Sequence, residues 1–455
     1  MKPTILPFAS LVLWLALGCQ EPSAFAADVS SQDPPQEEQA AEPQAEVLTQ
    51  AQLEAWTEEI RADIEELRAK SFLRPVTVAL ADLETLQEYI KVRMEKTEPP
   101  EQREANVTVA KMLGLVPGEM DFEAHLNRIL EGQVGGFYDP DTEGFFLMET
   151  FSGSLARPIL AHELTHALDD QLYDIDGTLL RLEGNSDAQW AYHAVIEGSG
   201  SAVGQEWVLT RGNLSPAEQM EDAMRGMDVL ADALPYVYKP LLGSYLRGQM
   251  FLCRAGSMLE LAKKKPGLED YATVFENPPR SSEQVLHSAK YWDEEKRDEP
   301  VPVVLDTEAL PPGWAVLHQD TLGELGWALF VEPPAKRTGL ASPLAIMAVR
   351  YTYPASEGWG GDRYVLLGRG EARVLLCETT WDSDRDAEEF GREVEKLEEH
   401  LVAGLAGTAQ ARGLTQSGTV SGSRGARGRW LRCWIGVSPE EAAAVANSIG
   451  VRVGE

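Results

Sequence analysis

Three features of the sequence predict an α+β protein, a mainly helical unit with a small β-hairpin followed by a smaller α+β unit. Apolar residues recur at three- and four-residue steps in the first part of the chain, which is the helical period. Two aromatic runs flank a turn sequence at 139–144, which is a hairpin pattern. After about residue 296 strand-like runs appear between helical ones. With 455 residues the chain exceeds the usual single-domain size, so two folded units plus tails are expected, at 51–295 and 296–455.

The N-terminus reads as an export leader over 1–18. Lys2 supplies one positive charge, and the apolar run 5–17 is interrupted by Pro7 and Ser10 and is too short to span a bilayer. Leu15-Ala16-Leu17-Gly18-Cys19 resembles a bacterial lipobox, with Ala16 where Leu is usual, and would make Cys19 the lipidated first residue. Ala24-Phe25-Ala26 offers an ordinary cleavage site instead. The expectation is an exported lipoprotein facing the periplasm or cell exterior, otherwise a secreted protein. Residues 19–50 form an acidic tether too poor in apolar side chains to fold.

Order begins with Leu53, Trp56, Ile60, Ile64 and Leu67, one face of a helix. A second helix is expected over 80–96, stopped by Pro99 and Pro100. The hairpin follows at 135–148, then a helix over 159–172 opened by Pro158, and another over 186–207 with Asp187 in its first turn. Helices continue between 216 and 265 with breaks at Pro235 and Pro240. Strands are expected at 300–304, 362–367, 372–380 and 429–437, and helices at 383–401 and from Pro439. Residues 413–428 read as a Gly/Ser/Arg-rich loop.

The charge is −33, from 40 basic and 73 acidic residues. That balance argues against nucleic-acid or anionic-membrane partners, which want clustered Lys and Arg, and leaves membrane contact to the lipid anchor. Among Cys19, Cys253, Cys377 and Cys433, none has zinc-thiolate spacing; Cys377 and Cys433 sit in strand-like runs and could pair in an oxidising compartment.

The chemistry concentrates at Ala161-His162-Glu163-Leu164-Thr165-His166, an H-E-x-x-H on a helix. Side chains four apart share a helical face, so both imidazoles can reach one Zn²⁺ at about 2.0–2.1 Å. Glu163 can then deprotonate a water activated by the ion for attack on a carbonyl. The helix is apolar on several sides, so two histidines and a glutamate within it are costly unless paired or metal-bound. Asp169 and Leu172 stand where a G-x-x-H continuation would fall, and Gly177-Thr178 is followed by Arg181 where another class carries Asp. A third ligand from a later helix remains: Glu197, followed by small residues that permit close helix approach, with Glu183 as rival.

The string His162 to Asp170 resembles the active-site helix of thermolysin-like gluzincin zinc metallopeptidases, which runs H-E-L-T-H-A-x-x-D. A wider likeness is to uncharacterised bacterial exported proteins with metallopeptidase domains. It rests on G-F-Y-D-P at 136–140, H-E-L-T-H-A-L-x-D-Q at 162–171, Glu197-Gly198, and P-P-x-S-x-E-Q-x-L-H at 278–287. G-W-x-G-D-R-Y at 358–364 and W-D-x-x-x-D-A-x-x-F at 381–390 extend it. The resemblance implies a zincin-like fold for 51–295, zinc as cofactor and peptide or protein substrates.

Metal-bound histidines commonly donate their second N–H to a carboxylate, for which Asp170 and Asp187 are the candidates. A transition-state donor is expected from downstream: His287 first, then Tyr291, then Tyr245. His193, four residues before Glu197, reads as a packing residue beside the site, and the hairpin either as core or as an edge for an extended peptide. The alternatives to a peptidase are a zinc hydrolase of other amides or esters, and a binding protein that has lost turnover on the same fold.

Overall fold

The computed structural model describes residues 9–11, 48–97, 99–139, 142, 144–149, 156–212, 214–215, 227–333, 340, 342–405, 413–416 and 428–454. Cys19 and the tether as far as residue 47 lie outside the described residues. Ala9–Leu11, within the expected leader, forms strand β1. Among the described residues no helix is long and apolar enough to cross a membrane.

Thr49 and Gln52 cap α1 (Gln50–Arg68) reciprocally, satisfying two orphan N-terminal donors. Leu53, Ile60 and Ile64 face the core, and so does Arg68 at the helix end. The expected second helix starts later than 80: Leu80 belongs to strand β2 (Thr77–Ala81), and α2 is Leu83–Thr97. Asp82 sets that start by accepting the Thr85 backbone N–H at 2.8 Å. Pro100 opens a further helix instead of ending one, α3 (Pro100–Met112), because proline fits the first helical position. Asp121 caps α4 (Phe122–Gln133).

The hairpin forms as β3 (Val134–Asp139) and β4 (Gly144–Met148), paired Gly136 to Leu147 and Phe137 to Phe146. β2 adds parallel to β4, β1 adds antiparallel to β3, and the sheet order is β1-β3-β4-β2. Both hairpin strands are therefore internal, so among the described residues the hairpin is core and not a free edge. Next come α5 (Ala156–Tyr173), α6 (Ile175–Arg181) and α7 (Ser186–Thr210). Helix α8 (Pro235–Leu252) runs through Pro240 without the expected break. Pro240 lies near the N-terminal end, where one lost helix bond is tolerable, and its carbonyl accepts Trp190 Nε1 from α7 at 2.9 Å. Short helices α9 (Leu268–Glu276) and α10 (Ser282–Leu286) lead to the second unit.

That unit opens with β5 (Val303–Asp306), β6 (Ala315–Asp320) and α11 (Gly323–Val331). Strands β7 (Trp359–Arg369) and β8 (Ala372–Trp381) precede α12 (Asp384–Leu405). Strand β9 (Gly413–Gln416) falls inside the stretch read as a loop, and β10 (Gly428–Ile435) pairs with it. Helix α13 (Pro439–Asn447) and β11 (Gly450–Val453) end the described chain, β11 pairing with β5. The antiparallel sheet β6-β7-β8-β10-β9 alternates its inward faces. Leu366, Leu375 and Cys377 pack toward Phe390 of α12, and Val365, Val374 and Leu376 toward Val445 of α13. The architecture is α+β, as expected.

Two further findings differ from the sequence reading. Cys377 and Cys433 form no disulfide, because register pairs Cys377 with Leu431 and Cys433 with Leu375, leaving the cysteines diagonal. The cores also cross the boundary at 296: Ala105, Val109 and Leu113 of α3 and its end pack with Trp327, Phe330 and Trp381.

Candidate metal centre

Helix α5 is buried on every side from Pro158 to Asp169, and His162 and His166 meet Glu197 of α7. His162 Nε2 lies 3.2 Å from Glu197 Oε2, His166 Nε2 lies 3.4 Å from the same oxygen, and the two Nε2 atoms are 2.9 Å apart. A tetrahedral ion about 2.0–2.1 Å from each donor would set donors about 3.3 Å apart. The three side chains thus present one convergent, buried donor set of the kind that holds a metal ion. Glu183 is exposed in the turn after α6 and takes no part.

Glycines bring the helices this close. A Cβ on Gly200 would stand 2.7 Å from Cε1 of both His162 and His166. One on Gly198 would stand 2.4 Å from the Gly248 carbonyl carbon, and one on Gly248 1.9 Å from the Ala194 carbonyl oxygen. Helix α7 is therefore pressed between α5 and α8, and Glu197 sits at the crossing. The backbone of Gly200 hydrogen-bonds His162 as well.

The charges are unevenly held. Burial alone would neutralise Glu197, but hydrogen bonds from His162 and His166 overcome it and hold its carboxyl at about 2. His162 is lowered by burial and by His166 beside it, whereas His166 is raised, since Glu197 outweighs burial there. Glu163 is fully buried, neither carboxylate oxygen has a hydrogen-bond partner, and burial pushes its carboxyl up to about 8. A buried polar group without a partner is rare and asks for a functional reason.

The remaining candidates separate. Tyr245 of α8 stacks on His162, ring centroids 5.8 Å apart. His287 instead meets Glu324 at 3.0 Å, and Glu324 also accepts from Thr352. Tyr291 donates to the Asn277 carbonyl at 2.6 Å, a purely structural bond. His193, one turn before Glu197, is pushed down to about 4 by burial. Asp170 accepts Tyr138 Oη at 3.2 Å and the Ile175 N–H, tying the hairpin to the end of α5. Asp187 lies ten residues before Glu197, about 15 Å along α7, and accepts the Ser282 N–H at 3.1 Å. It also lies against Gly323 of the second unit, where a Cβ would stand 1.7 Å from its Oδ1, and neither aspartate has a histidine among these contacts.

The carboxylate behind the histidines is Asp169, which the sequence reading passed over. It pairs with Arg68 at 2.7 Å and accepts Ser199 Oγ at 2.6 Å. A second acidic group, Glu283, Asp298 and Asp382, surrounds the Lys290 ammonium at 2.6, 2.8 and 2.8 Å. Lys290 fills that group, making it an ion-pair node.

Residues 315–433, the sheet from β6 into β10, match a domain family of unknown function, DUF8575, and the match excludes α5 and α7. No curated protein matches the chain.

Proposed function

We propose that this chain is a zinc-dependent metallopeptidase of the gluzincin type, with a zincin-like N-terminal unit acting on peptide or protein substrates. The observation that carries the reading is the convergence of His162, His166 and Glu197 beside Glu163, a buried carboxylate with no other employment. The donor set, two imidazoles and a carboxylate, suits Zn²⁺. When bound, the ion would polarise a water and the scissile carbonyl, supplying the Lewis acidity that no side chain here provides.

The rest falls to the chain. Glu163 has the role of general base: its carboxylate, buried beside the ligands with neither oxygen hydrogen-bonded, would take a proton from the attacking water and return it to the departing amine nitrogen. Glu197 stays ionised and orients both imidazoles. Tyr245, stacked on His162, takes the role first expected of His287, with its phenol as donor to a developing oxyanion. Lipobox-like Cys19 supports an exported, lipid-anchored location.

The test is cleavage of a peptide library with and without 1,10-phenanthroline. Cleavage should be chelator-sensitive and fall at least about 1,000-fold in Glu163→Gln while bound zinc is kept. Zinc without cleavage of any peptide would favour a hydrolase of other amides or esters, or a binding protein, and reject the peptidase.

A further inference from the structure

The buried ion pair behind the histidines joins α1, α5 and α7. Arg68 is the last residue of α1, Asp169 follows His166 by three positions, and Ser199 follows Glu197 by two. Arg68 Nη1 lies 2.7 Å from Asp169 Oδ1 and 3.2 Å from Ser199 Oγ, which donates to Asp169 Oδ2 at 2.6 Å. The guanidinium carbon sits 3.9 Å from the Tyr271 ring centroid, and Tyr173 hydrogen-bonds Arg68 as well. Both charged side chains are 1% exposed or less.

Stability does not explain such a pair. Removing two charges from water costs about as much as their attraction returns, and well-packed apolar residues of similar volume often do as well. What charges add is geometry. The pair and the bridging hydroxyl fix the spacing and rotation of α5 against α7, one turn from the ligands.

We propose that Arg68, Asp169 and Ser199 form a positioning network that holds His166 and Glu197 at ligand distance and so sets the affinity for a divalent cation. The inference rests on the metal reading above. None of the three touches the ion; each acts through its helix. Partners behind metal ligands typically govern affinity by about 10–100-fold.

The experiment titrates chelator-stripped full-length protein with Zn²⁺ against a chromophoric competitor, and with Co²⁺ to read coordination from the visible spectrum. The double variant Arg68→Met/Asp169→Leu leaves no buried lone charge. It should bind Zn²⁺ about 10–100-fold more weakly than wild type and shift the Co²⁺ bands. Arg68→Lys, which keeps the charge, should recover part of the loss. The comparison is Lys239→Met/Glu332→Leu, an equally buried pair at 2.7 Å that contacts none of the three ligands. It should keep Zn²⁺ affinity within about twofold whatever its effect on the unfolding midpoint. If the first double variant does not fold, Ser199→Ala reads the same network through one hydroxyl, with an expected loss of about fivefold. Wild-type affinity in the network variants, or an equal loss in the comparison pair, would overturn the network alone. A wild-type protein that binds neither ion would overturn the metal reading and this inference with it.

Discussion

Gly200 shows how little room the site leaves. Its Cα faces both imidazole rings, and any β-carbon there would lie 2.7 Å from each ring's Cε1. Gly200→Ala should therefore force the rings apart at a cost of about 1–3 kcal/mol, read as a zinc affinity about 10–100-fold lower. Circular dichroism should stay helical; undiminished zinc binding by titration would show that the rings have slack. At this scale the sequence is informative where spacing encodes chemistry. His162, Glu163 and His166 follow from an i, i+4 pattern, and Glu197 from the small residues after it. Asp169 and Arg68 do not, because a partner 101 positions away leaves no local trace. Asp170 is suggested by its place one turn after His166 and Asp187 by its place on the helix of Glu197, and each bonds backbone elsewhere.

Among elements, the crossing of α7 and α8 determines whether Glu197 arrives at all. Gly248 lies against the Ala194 carbonyl, so Gly248→Ala sets a methyl group 1.9 Å from backbone oxygen, where no rotamer can relieve it. We expect destabilisation of about 2–3 kcal/mol or more in urea unfolding, larger than for Gly256→Ala, whose nearest neighbour is 3.9 Å away. Equal midpoints would mean that the helices are not in close contact. The periodic helices α1, α5, α7 and α12 are legible because each repeats an apolar face or follows a strong start signal. Helix α3 is hidden by Pro99-Pro100, since the same dipeptide that ends one helix begins the next. Strand β6 is hidden for a different reason: five of its six residues are exposed or half-exposed, so it lacks alternation.

In the whole molecule, the two units meet across a seam of buried carboxylates that composition alone cannot reveal. Asp320 of the second unit accepts the Ser186 N–H of the first. Asp187 accepts the Ser282 N–H within its own unit and lies against Gly323 of the second, whose N–H is held by Asp362. Burial, aided by Asp362 and Glu324 nearby, pushes Asp187 up to about 7 despite the bonds from Ser282. An unfolded aspartate releases its proton near pH 4, so between about pH 4 and pH 7 the folded state holds the extra proton. Stability from this group is full below pH 4 and is lost as pH rises through 7. Asp187→Asn cannot titrate, so its stability relative to wild type should climb over that interval and level off above it. A flat difference in urea unfolding from pH 4 to 8 would remove Asp187 from the seam's titration. All of these relations serve one claim, that two imidazoles and Glu197 share a divalent cation. Metal analysis of purified wild type beside His162→Ala tests it most directly. About one zinc per chain, lost in the variant while its circular dichroism is retained, is the predicted result. A folded wild type without metal after growth and purification in zinc would contradict it.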